Sequence, residues 1–264
     1  MLNIASIYIK RWIFLLLSKL LATVKSFKNM SNNIIKDIIY SRPIQQLRHF
    51  IKPVIYIFFK DLHKKKFRFN GKDYHYFTQG EYNNPWKNER AVEVAIAIDY
   101  LKQYKNKNIL EVGNVLSNYF PITHDVVDPY DTNPFVIQED IVLYNPKKKY
   151  DLIICISTLE HIGWDMGDDG HGIQPEKGIK AVYHMKQLLK KGGLLLITTP
   201  YGYNEYLDSH ILQNKLSFTK KYFMKRTSIL NYWKEVTTFN KKDLQYDIVV
   251  MSPRLLNIGM FYQK

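Results

Sequence analysis

Residues 150–161 read YDLIICISTLEH, and this stretch decides the fold. Apart from Asp151, its first seven residues are apolar or aromatic, which is typical of a central strand buried on both faces of a parallel sheet. The polar residues that follow are expected at the carboxyl end of that strand. In open sheets covered by helices on both faces, ligands bind beyond the carboxyl ends of the strands. The stretch therefore predicts a parallel α/β sheet and the edge of it that carries the chemistry.

Outward from this strand, from about residue 88, short apolar runs alternate with helix-like stretches, which is typical of a doubly wound α/β domain. Asp247–Met251 and Ile258–Tyr262 are close enough in sequence to form an antiparallel hairpin. We therefore expect a Rossmann-like sheet of about seven strands, mostly parallel, with an antiparallel C-terminal hairpin. The predicted strands are 108–112, 125–127, 135–138, 150–156, 194–199, 247–251 and 258–262, and the predicted helices span 88–104 and 176–190.

Composition narrows the class of protein. Of 264 residues, 46% are hydrophobic and 23% are charged, which argues against wholesale disorder, collagen-like repetition or a polytopic membrane protein. Cys155 is the only cysteine, so a disulfide framework within the chain and a multi-cysteine zinc site are both excluded. We expect a reducing, cytoplasmic setting and predict no metal site.

The net charge of +14 is concentrated at the amino end. Residues 1–70 hold 14 Lys and Arg against two Asp, a net +12 that leaves +2 for the other 194 residues. Apolar side chains between Ile9 and Val24 follow helical spacing, but Lys10, Arg11 and Lys19 interrupt them, so a membrane span is not expected. A stripe edged with cations is typical of a helix lying in a membrane surface.

Three interpretations of this basic end stay open. Residues 1–66 attach the protein to the anionic inner face of a membrane, or their helices pack on the remaining chain with solvated lysines. Nucleic-acid binding is the least favoured, because no known binding motif accompanies the charge. We predict a basic helical extension over residues 1–80 and an α/β domain over 81–264, with a substrate-side insertion at 201–240.

Several chemistry-bearing residues fall at the predicted strand ends. Gly113 follows the strand at 108–112, and a glycine there lets the backbone approach a ligand closely. Asp128, at the end of the next strand, is placed to accept hydrogen bonds from both hydroxyls of a ribose. Asp140 and Ile141 follow a third predicted strand. They are placed to accept a hydrogen bond from the exocyclic amine of a purine and to cover its face.

Five segments are informative in combination: ILEVGNVLSNY at 109–119, VVDPYD at 126–131, EDI at 139–141, YDLIICISTLEHIGW at 150–164 and LLKKGGLLLITTP at 188–200. Together they resemble the class I S-adenosylmethionine-dependent methyltransferases, and more closely the small methyltransferases found beside glycosyltransferases in surface-polysaccharide clusters. The first motif departs from the family pattern, because Val115 and Ser117 stand where glycines are usual. The same lack of glycines argues against a dinucleotide pyrophosphate site.

The resemblance implies S-adenosylmethionine as cofactor and assigns it a set of contacts. Asp128 and Asp140 have a second interpretation as turn or helix-capping carboxylates. The implied contacts are Glu111, Gly113 and Asn114 for the methionine part, Asp128 for the ribose, Asp140 with Ile141 for the adenine, Ser157 and Thr158 for the sulfonium side, and Tyr82 and Arg90 near the methionine end. Strand-end packing is the alternative for Ser157 and Thr158, and packing or a surface ion pair for Tyr82 and Arg90.

The acceptor side carries the predicted catalytic groups. His161 directly follows the central strand and is the candidate general base, with Glu160 as the residue that orients it. A structural histidine is the alternative. The loop 163–175, GWDMGDDGHGIQP, is predicted to be an acceptor-binding lid, with a solvated turn as the alternative and a metal loop least favoured. Aromatic residues and lysines in 201–240 suit a glycan acceptor, or form a hydrophobic subdomain.

We therefore expect an S-adenosylmethionine-dependent methyltransferase that methylates an oxygen on a sugar or lipid-linked glycan. Its partners would be a small-molecule or glycan acceptor and an anionic membrane surface, with nucleic acid disfavoured and the oligomeric state left open. A quinone, another lipid or RNA is an alternative acceptor. A catalytically inactive, membrane-associated scaffold with the same fold is the alternative from a different class.

Overall fold

The computed structural model describes residues 61–165, 172–228, 230–247 and 252–264. The predicted amphipathic helix and membrane attachment at 1–60, and the central part of the predicted lid at 166–171, lie outside these ranges. Within the described ranges, no helix is both long enough and apolar enough to cross a bilayer.

An eight-stranded mixed sheet forms the centre of the fold, with strand order β5-β4-β3-β6-β7-β12-β8-β9. Strands β3 to β7 pair in parallel, whereas β12 is antiparallel to both β7 and β8, and β8 to β9. The strands are β1 Lys66–Phe69, β2 Lys72–His75, β3 Ile109–Val112, β4 Asp125–Val127, β5 Val136–Ile137, β6 Tyr150–Ile156, β7 Leu189–Pro200, β8 Lys220–Arg226, β9 Trp233–Val236, β10 Tyr246–Asp247, β11 Ser252–Pro253 and β12 Leu255–Tyr262. The α-helices are α1 Arg90–Gln103, α2 Glu176–Gln187 and α3 Glu205–Leu212.

Alternate residues of β6 belong to two separate hydrophobic clusters, because successive side chains of a strand lie on opposite faces of the sheet. Leu152, Ile154 and Ile156 lie in one cluster with the buried residues of α1. Ile153 and Cys155 lie in the other cluster with the buried residues of α2. Helices therefore cover both faces, and the predicted doubly wound α/β architecture is confirmed.

Two predicted strands, 125–127 and 150–156, have the bounds that the structure shows. Residues 258–262 were predicted to pair with 247–251, and this pairing is wrong. They belong to β12, which pairs with β7 at one edge and with β8 at the other. Tyr246–Asp247 pairs instead with Ser252–Pro253 in a separate two-stranded sheet, and residues 248–251 lie outside the described ranges. The antiparallel neighbour of β12 comes from the aromatic-rich stretch 201–240, which was predicted to be an insertion. Within that stretch, residues 220–226 and 233–236 form strands β8 and β9 of the main sheet.

The strand order reverses at β3. From β3 the chain proceeds outward through β4 to β5, and it then returns to place β6 on the other side of β3. A crevice at such a reversal, beyond the carboxyl ends of the strands, is where open α/β sheets bind ligands. Gly113 and Ser157 directly follow β3 and β6 at this point.

Candidate active site

A cavity of about 420 Å³ lies at the carboxyl ends of β3, β4 and β6. Ten of the twelve residues predicted for the site line it, and the two exceptions are Glu111 and Glu160. The ten are Tyr82, Arg90, Gly113, Asn114, Asp128, Asp140, Ile141, Ser157, Thr158 and His161. The strand ends identified in the sequence are therefore brought together in one place.

Two features require a glycine at position 113: its backbone conformation and its contact with Thr158 across the crevice. Its φ is +83°, in the region that favours glycine. A Cβ at this position would lie 2.3 Å from the Thr158 Oγ1 atom. The sequence predicted that a ligand approaches the backbone of Gly113 closely, and in the structure the side chain of Thr158 does so. The Thr158 hydroxyl donates to the Ile156 carbonyl at 3.0 Å.

Glu111 shapes the loop after β3 and does not line the cavity, in contrast to its predicted contact with the methionine part. It is fully buried, and its Oε1 accepts hydrogen bonds from the backbone N–H groups of Val115 at 2.9 Å and Leu116 at 2.8 Å. Its Oε2 lies 2.8 Å from Nε2 of His124. The sequence identifies a carboxylate at a strand end, but it does not say whether that carboxylate meets a ligand or the adjacent backbone.

This arrangement explains how the loop dispenses with the usual glycines. Val115 has φ −101°, so its conformation is open to any L-residue. The carboxylate of Glu111 stabilises the turn by accepting hydrogen bonds from the backbone N–H groups of Val115 and Leu116. The departure from the family motif at Val115 and Ser117 is therefore compatible with a formed loop.

Asp128 joins the loops that follow β3 and β4. Its Oδ1 accepts from the backbone N–H groups of Tyr130 at 2.9 Å and Asp131 at 3.1 Å, and its Oδ2 accepts from that of Asn114 at 3.2 Å. The Asn114 side-chain amide donates to Asp131 Oδ2 at 2.7 Å. Asp128 is thus a turn carboxylate that also lines the cavity, so the two interpretations of this residue are compatible.

Asp140 and Ile141 lie at the far end of the cavity. Asp140 Oδ1 accepts from the Val142 backbone N–H at 2.9 Å, and its Oδ2 forms an ion pair with Lys177 Nζ of α2 at 2.7 Å. Ile141 is 3% exposed and offers an apolar surface beside this pair. Lys177 was not predicted, because its contact with Asp140 joins segments distant in sequence.

Arg90 is buried at the start of α1, so the surface ion pair considered for it is wrong. Its Nη1 donates to Glu93 Oε2 at 2.8 Å and to the Ile156 carbonyl at 3.3 Å. Burial disfavours the guanidinium charge, but Glu93 and Glu89 outweigh it and raise the pKa of Arg90 above its ordinary value. Among the described residues, its buried Nε has no hydrogen-bond partner, and the residue lines the cavity.

Glu93 is a further buried residue that the sequence analysis missed. Its Oε1 accepts from Ser157 Oγ at 2.5 Å and from Thr198 Oγ1 at 2.6 Å, which links α1 to the ends of β6 and β7. Ser157 therefore has its hydroxyl engaged by Glu93, and its φ of +36° marks a strained backbone at the cavity. The one signal in the sequence is the i,i+3 spacing of Arg90 and Glu93 on a helix.

His161 borders the cavity and contacts Asp165 rather than Glu160. Its Nδ1 lies 2.7 Å from Asp165 Oδ2, whereas its Nε2 lies 3.8 Å from Glu160 Oε1, beyond hydrogen-bonding distance. The Tyr203 hydroxyl donates to Asp165 Oδ1 at 3.0 Å, and its ring packs edge-on to the imidazole with centroids 4.7 Å apart. The hydrogen-bonding contact that was predicted for Glu160 is therefore made by Asp165.

Glu160 is buried behind His161 with its Oε2 unpartnered among the described residues. Burial raises the pKa of its carboxyl well above the ordinary value, and Glu93 adds to the rise. In the described part of the chain, no group of three or more His, Cys, Asp or Glu is arranged to hold a metal ion.

Tyr82 lines the cavity and is 41% exposed. Its carbonyl accepts from the Tyr119 hydroxyl at 2.9 Å, and the two rings pack edge-on with centroids 5.9 Å apart. Tyr130, 62% exposed, lines the same cavity from the loop after β4. Two partly exposed aromatic side chains are therefore among the lining residues.

Comparison with known proteins gives a family and a set of similar chains. A family model described as a methyltransferase domain matches residues 100–237, slightly more than half of the chain. Malonyl-[acyl-carrier protein] O-methyltransferase 2 of Ilyobacter polytropus is 33% identical over 122 residues, which is 38% of this chain and 42% of that protein. The chain therefore spans less than half the length of this curated relative.

Similar solved structures are also methyltransferases. The N-methyltransferase NodS of Bradyrhizobium japonicum, in complex with S-adenosyl-L-homocysteine, is 12% identical with a TM-score of 0.42, over 68% of this chain and 91% of that one. A possible histamine N-methyltransferase of Thermotoga maritima is 12% identical with a TM-score of 0.37, over 67% and 97% respectively.

Proposed function

We propose, from the premise that the chain belongs to the methyltransferase-domain family, that it methylates a hydroxyl oxygen of a sugar or lipid-linked glycan. Its cofactor is S-adenosylmethionine. The observation that carries the choice of oxygen is the pairing of His161 with Asp165 at the cavity, because hydroxyl acceptors have a high pKa and need a base.

The residues of the cavity fit the cofactor. The unpartnered Nε of buried Arg90 would meet its carboxylate, and Gly113 and Asn114 would lie along its methionine part. Asp128 has lone pairs left for ribose hydroxyls after accepting three backbone N–H bonds, and Ile141 would cover the adenine. When bound, the cofactor would supply a methyl carbon on a positively charged sulfur: an O–C bond to the acceptor would form, the C–S bond would break, and its electron pair would stay with sulfur.

On the acceptor side, His161 would hold the acceptor hydroxyl and take its proton. Nε2 accepts the proton as the oxygen attacks, and the carboxylate of Asp165 offsets the charge of the imidazolium that forms. The proton then passes to solvent, because the His161 side chain is 44% exposed. Positioning the acceptor close to the methyl carbon supplies much of the remaining rate enhancement.

Partly exposed aromatic side chains that line the cavity support a sugar ring as acceptor. The exposed faces of Tyr82 and Tyr130 suit stacking on the apolar face of a pyranose. The basic segment 1–66 supports an acceptor held at the inner face of an anionic membrane, as a lipid-linked glycan would be.

A carboxylate acceptor is the second candidate, favoured by the similarity to a malonyl-[acyl-carrier protein] O-methyltransferase. A carboxylate is already ionised at neutral pH and needs no base. Under this alternative, replacing His161 would affect acceptor binding more than the chemical step. The two candidates therefore differ in a measurable way.

The test is transfer of a radiolabelled methyl group from S-adenosylmethionine to a panel of acceptors by the full chain. The panel contains lipid-linked oligosaccharides on anionic vesicles, free oligosaccharides and malonyl-acyl carrier protein. We expect transfer to a glycan, with kcat reduced about 10²- to 10⁴-fold in His161→Ala and unchanged in the exposed control His75→Ala. Transfer to malonyl-acyl carrier protein alone would contradict the glycan assignment and favour the second candidate.

A further inference from the structure

Tyr203 and Asp165 connect two loops that meet beside His161. Asp165 lies in the loop after β6, and Tyr203 lies after β7, 38 positions further along the chain. The hydrogen bond between them is 3.0 Å long, and Asp165 in turn lies 2.7 Å from His161 Nδ1. The three side chains form a continuous chain of contacts that ends at the cavity.

We infer that Asp165 and Tyr203 are positioning residues that hold His161 with its neutral-state proton on Nδ1 and present Nε2 as the base. The inference deepens the proposed function and rests on it for the role of Nε2. Asp165 holds the imidazole directly, and Tyr203 holds Asp165.

The tautomer follows from the acceptor character of Asp165. An ionised carboxylate only accepts hydrogen bonds, so the 2.7 Å contact requires a proton on His161 Nδ1. In the neutral imidazole, Nε2 then carries the free lone pair. Its nearest acidic neighbour, Glu160 Oε1, is 3.8 Å away and leaves Nε2 outside hydrogen-bonding distance.

Two adjacent residues fix this arrangement from the β7 side. Tyr203 donates to Asp165 Oδ1 and packs its ring against the imidazole, which restricts both side chains. Asn204 Nδ2 donates to the Glu160 backbone carbonyl at 3.0 Å, while its Oδ1 caps α3 by accepting from the Leu207 N–H at 2.9 Å. The loop carrying His161 is thus attached to the start of α3.

Each oxygen of Asp165 has its own partner, which distinguishes this residue from a solvated surface acid. Oδ2 contacts His161, and Oδ1 accepts from Tyr203, although the side chain is 48% exposed. The groups facing His161 from the described elements are Asp165, Glu160 and Tyr203. Of these groups, Asp165 is the carboxylate within hydrogen-bonding distance of the ring.

The experiment is ¹⁵N NMR of histidine-labelled full chain, which reports the tautomer of each ring without any acceptor. His161→Gln assigns the His161 signal. We expect the neutral wild-type ring to show a protonated Nδ1 and an unprotonated Nε2. Asp165→Asn, whose amide can donate to Nδ1, should shift His161 toward the opposite tautomer, and Tyr203→Phe should give a mixture of the two.

Matched controls are Asp73→Asn on β2 and Tyr183→Phe on α2, which lie away from His161 and should leave its signal unchanged. A protonated Nε2 in the wild type, or a tautomer that Asp165→Asn does not alter, would overturn the inference. Because the variants change an exposed carboxylate and a single hydroxyl, circular dichroism should show a retained fold.

A kinetic cycle separates this inference from the proposed function. With an active acceptor, we expect Asp165→Asn to lower kcat at least tenfold with little change in KM, and to have no further effect when combined with His161→Ala. Additive losses in the double variant would overturn the positioning role. Absence of methyl transfer to any hydroxyl, with the Nδ1–H tautomer observed, would contradict the proposed function while the arrangement of His161 stands.

Discussion

The two walls of the cavity are built by different kinds of contact. The first, called the cofactor wall after the ligand proposed to bind there, comprises residues 113–115 and 128–130 and is held by carboxylates that accept backbone N–H bonds, as Glu111 and Asp128 do. The second, called the acceptor wall after the proposed acceptor, comprises segment 161–165 and is held mainly by contacts between side chains, as between His161, Asp165 and Tyr203. The first wall therefore sets the shape of the backbone, whereas the second places chemical groups. Substitutions should impair binding or folding in the first and rate in the second.

The largest effect on cofactor binding is expected at Gly113, in the cofactor wall. In Gly113→Ala the new Cβ would lie 2.3 Å from Thr158 Oγ1, at a φ of +83° that L-residues rarely adopt. The loop must move, and we expect the affinity for S-adenosylmethionine to fall at least about 100-fold, or roughly 2.7 kcal/mol, by calorimetric titration.

Gly192→Ala is the control for this prediction. Gly192 has a similar φ of +77°, but a Cβ there would meet nothing within 4 Å. We expect a small loss of stability from backbone strain, of about 1 kcal/mol, and unchanged cofactor binding. Equal binding losses in both variants would show that strain, not the contact with Thr158, governs the loop.

Glu111→Ala tests whether carboxylate contacts form the cofactor wall. The variant leaves the buried N–H groups of Val115 and Leu116 without their acceptor, at about 1 to 3 kcal/mol each, so we expect unfolding free energy to fall by about 3 kcal/mol. Urea denaturation measures it. Glu111→Gln keeps one oxygen and should lose roughly half as much. A Glu111→Ala variant as stable as the wild type would refute this view of the loop.

The buried carboxyl of Asp208 in α3 predicts that the stability of the fold declines with rising pH. Burial raises the pKa of Asp208 to about 7, although the Gly202 N–H donates to it at 2.8 Å. The folded state therefore keeps a proton on Asp208 that the unfolded chain releases near pH 4. Binding of this proton contributes fully to the free energy of unfolding below pH 4. The contribution declines as the pH rises to 7, by about 2 kcal/mol between pH 5 and 7.

Urea denaturation across this pH range, in wild type and Asp208→Asn, measures the contribution. The variant carries no titratable group at this position, so the decline should be smaller by that amount. The control Glu176→Gln neutralises an exposed acid in the first turn of α2 and should keep the wild-type slope. A slope that Asp208→Asn leaves unchanged would contradict the assignment.

The smallest loss of cofactor binding is expected at Arg90, at the start of α1. Arg90→Lys keeps the positive charge but removes the unpartnered Nε, so the affinity for S-adenosylmethionine should fall about tenfold through loss of a charged hydrogen bond. Methylthioadenosine lacks the carboxylate and should bind both proteins equally. Arg68→Lys, on the exposed side of β1, is the control. Equal losses for both ligands would place Arg90 in a structural role.

The contrast between the walls also explains what the sequence could predict. Strand ends such as Gly113, Asp128 and Ser157 were found because an apolar run followed by a polar residue is a local pattern. The parallel half of the sheet was correct for the same reason. The partner of β12 was assigned wrongly, because strand pairing depends on contacts far apart in sequence.

Side-chain partners were the least predictable part of the site. Glu111 was recognised as a strand-end carboxylate, but its partners are backbone groups of the next loop. Asp165 was seen only as one acid of a polar loop, since its contact with Tyr203 spans 38 positions. Lys177 and Glu93 were missed because their partners Asp140 and Ser157 come from other elements. Spacing along the chain carries no record of such contacts.

The most direct test of the central claim, that this cavity binds S-adenosylmethionine, is calorimetric titration of the cofactor into the full chain. We predict one site per chain in the wild type, binding weakened at least tenfold in Asp128→Ala, and unchanged binding in the exposed control Asp73→Ala. No binding by a folded wild type, or binding that Asp128→Ala leaves intact, would contradict it.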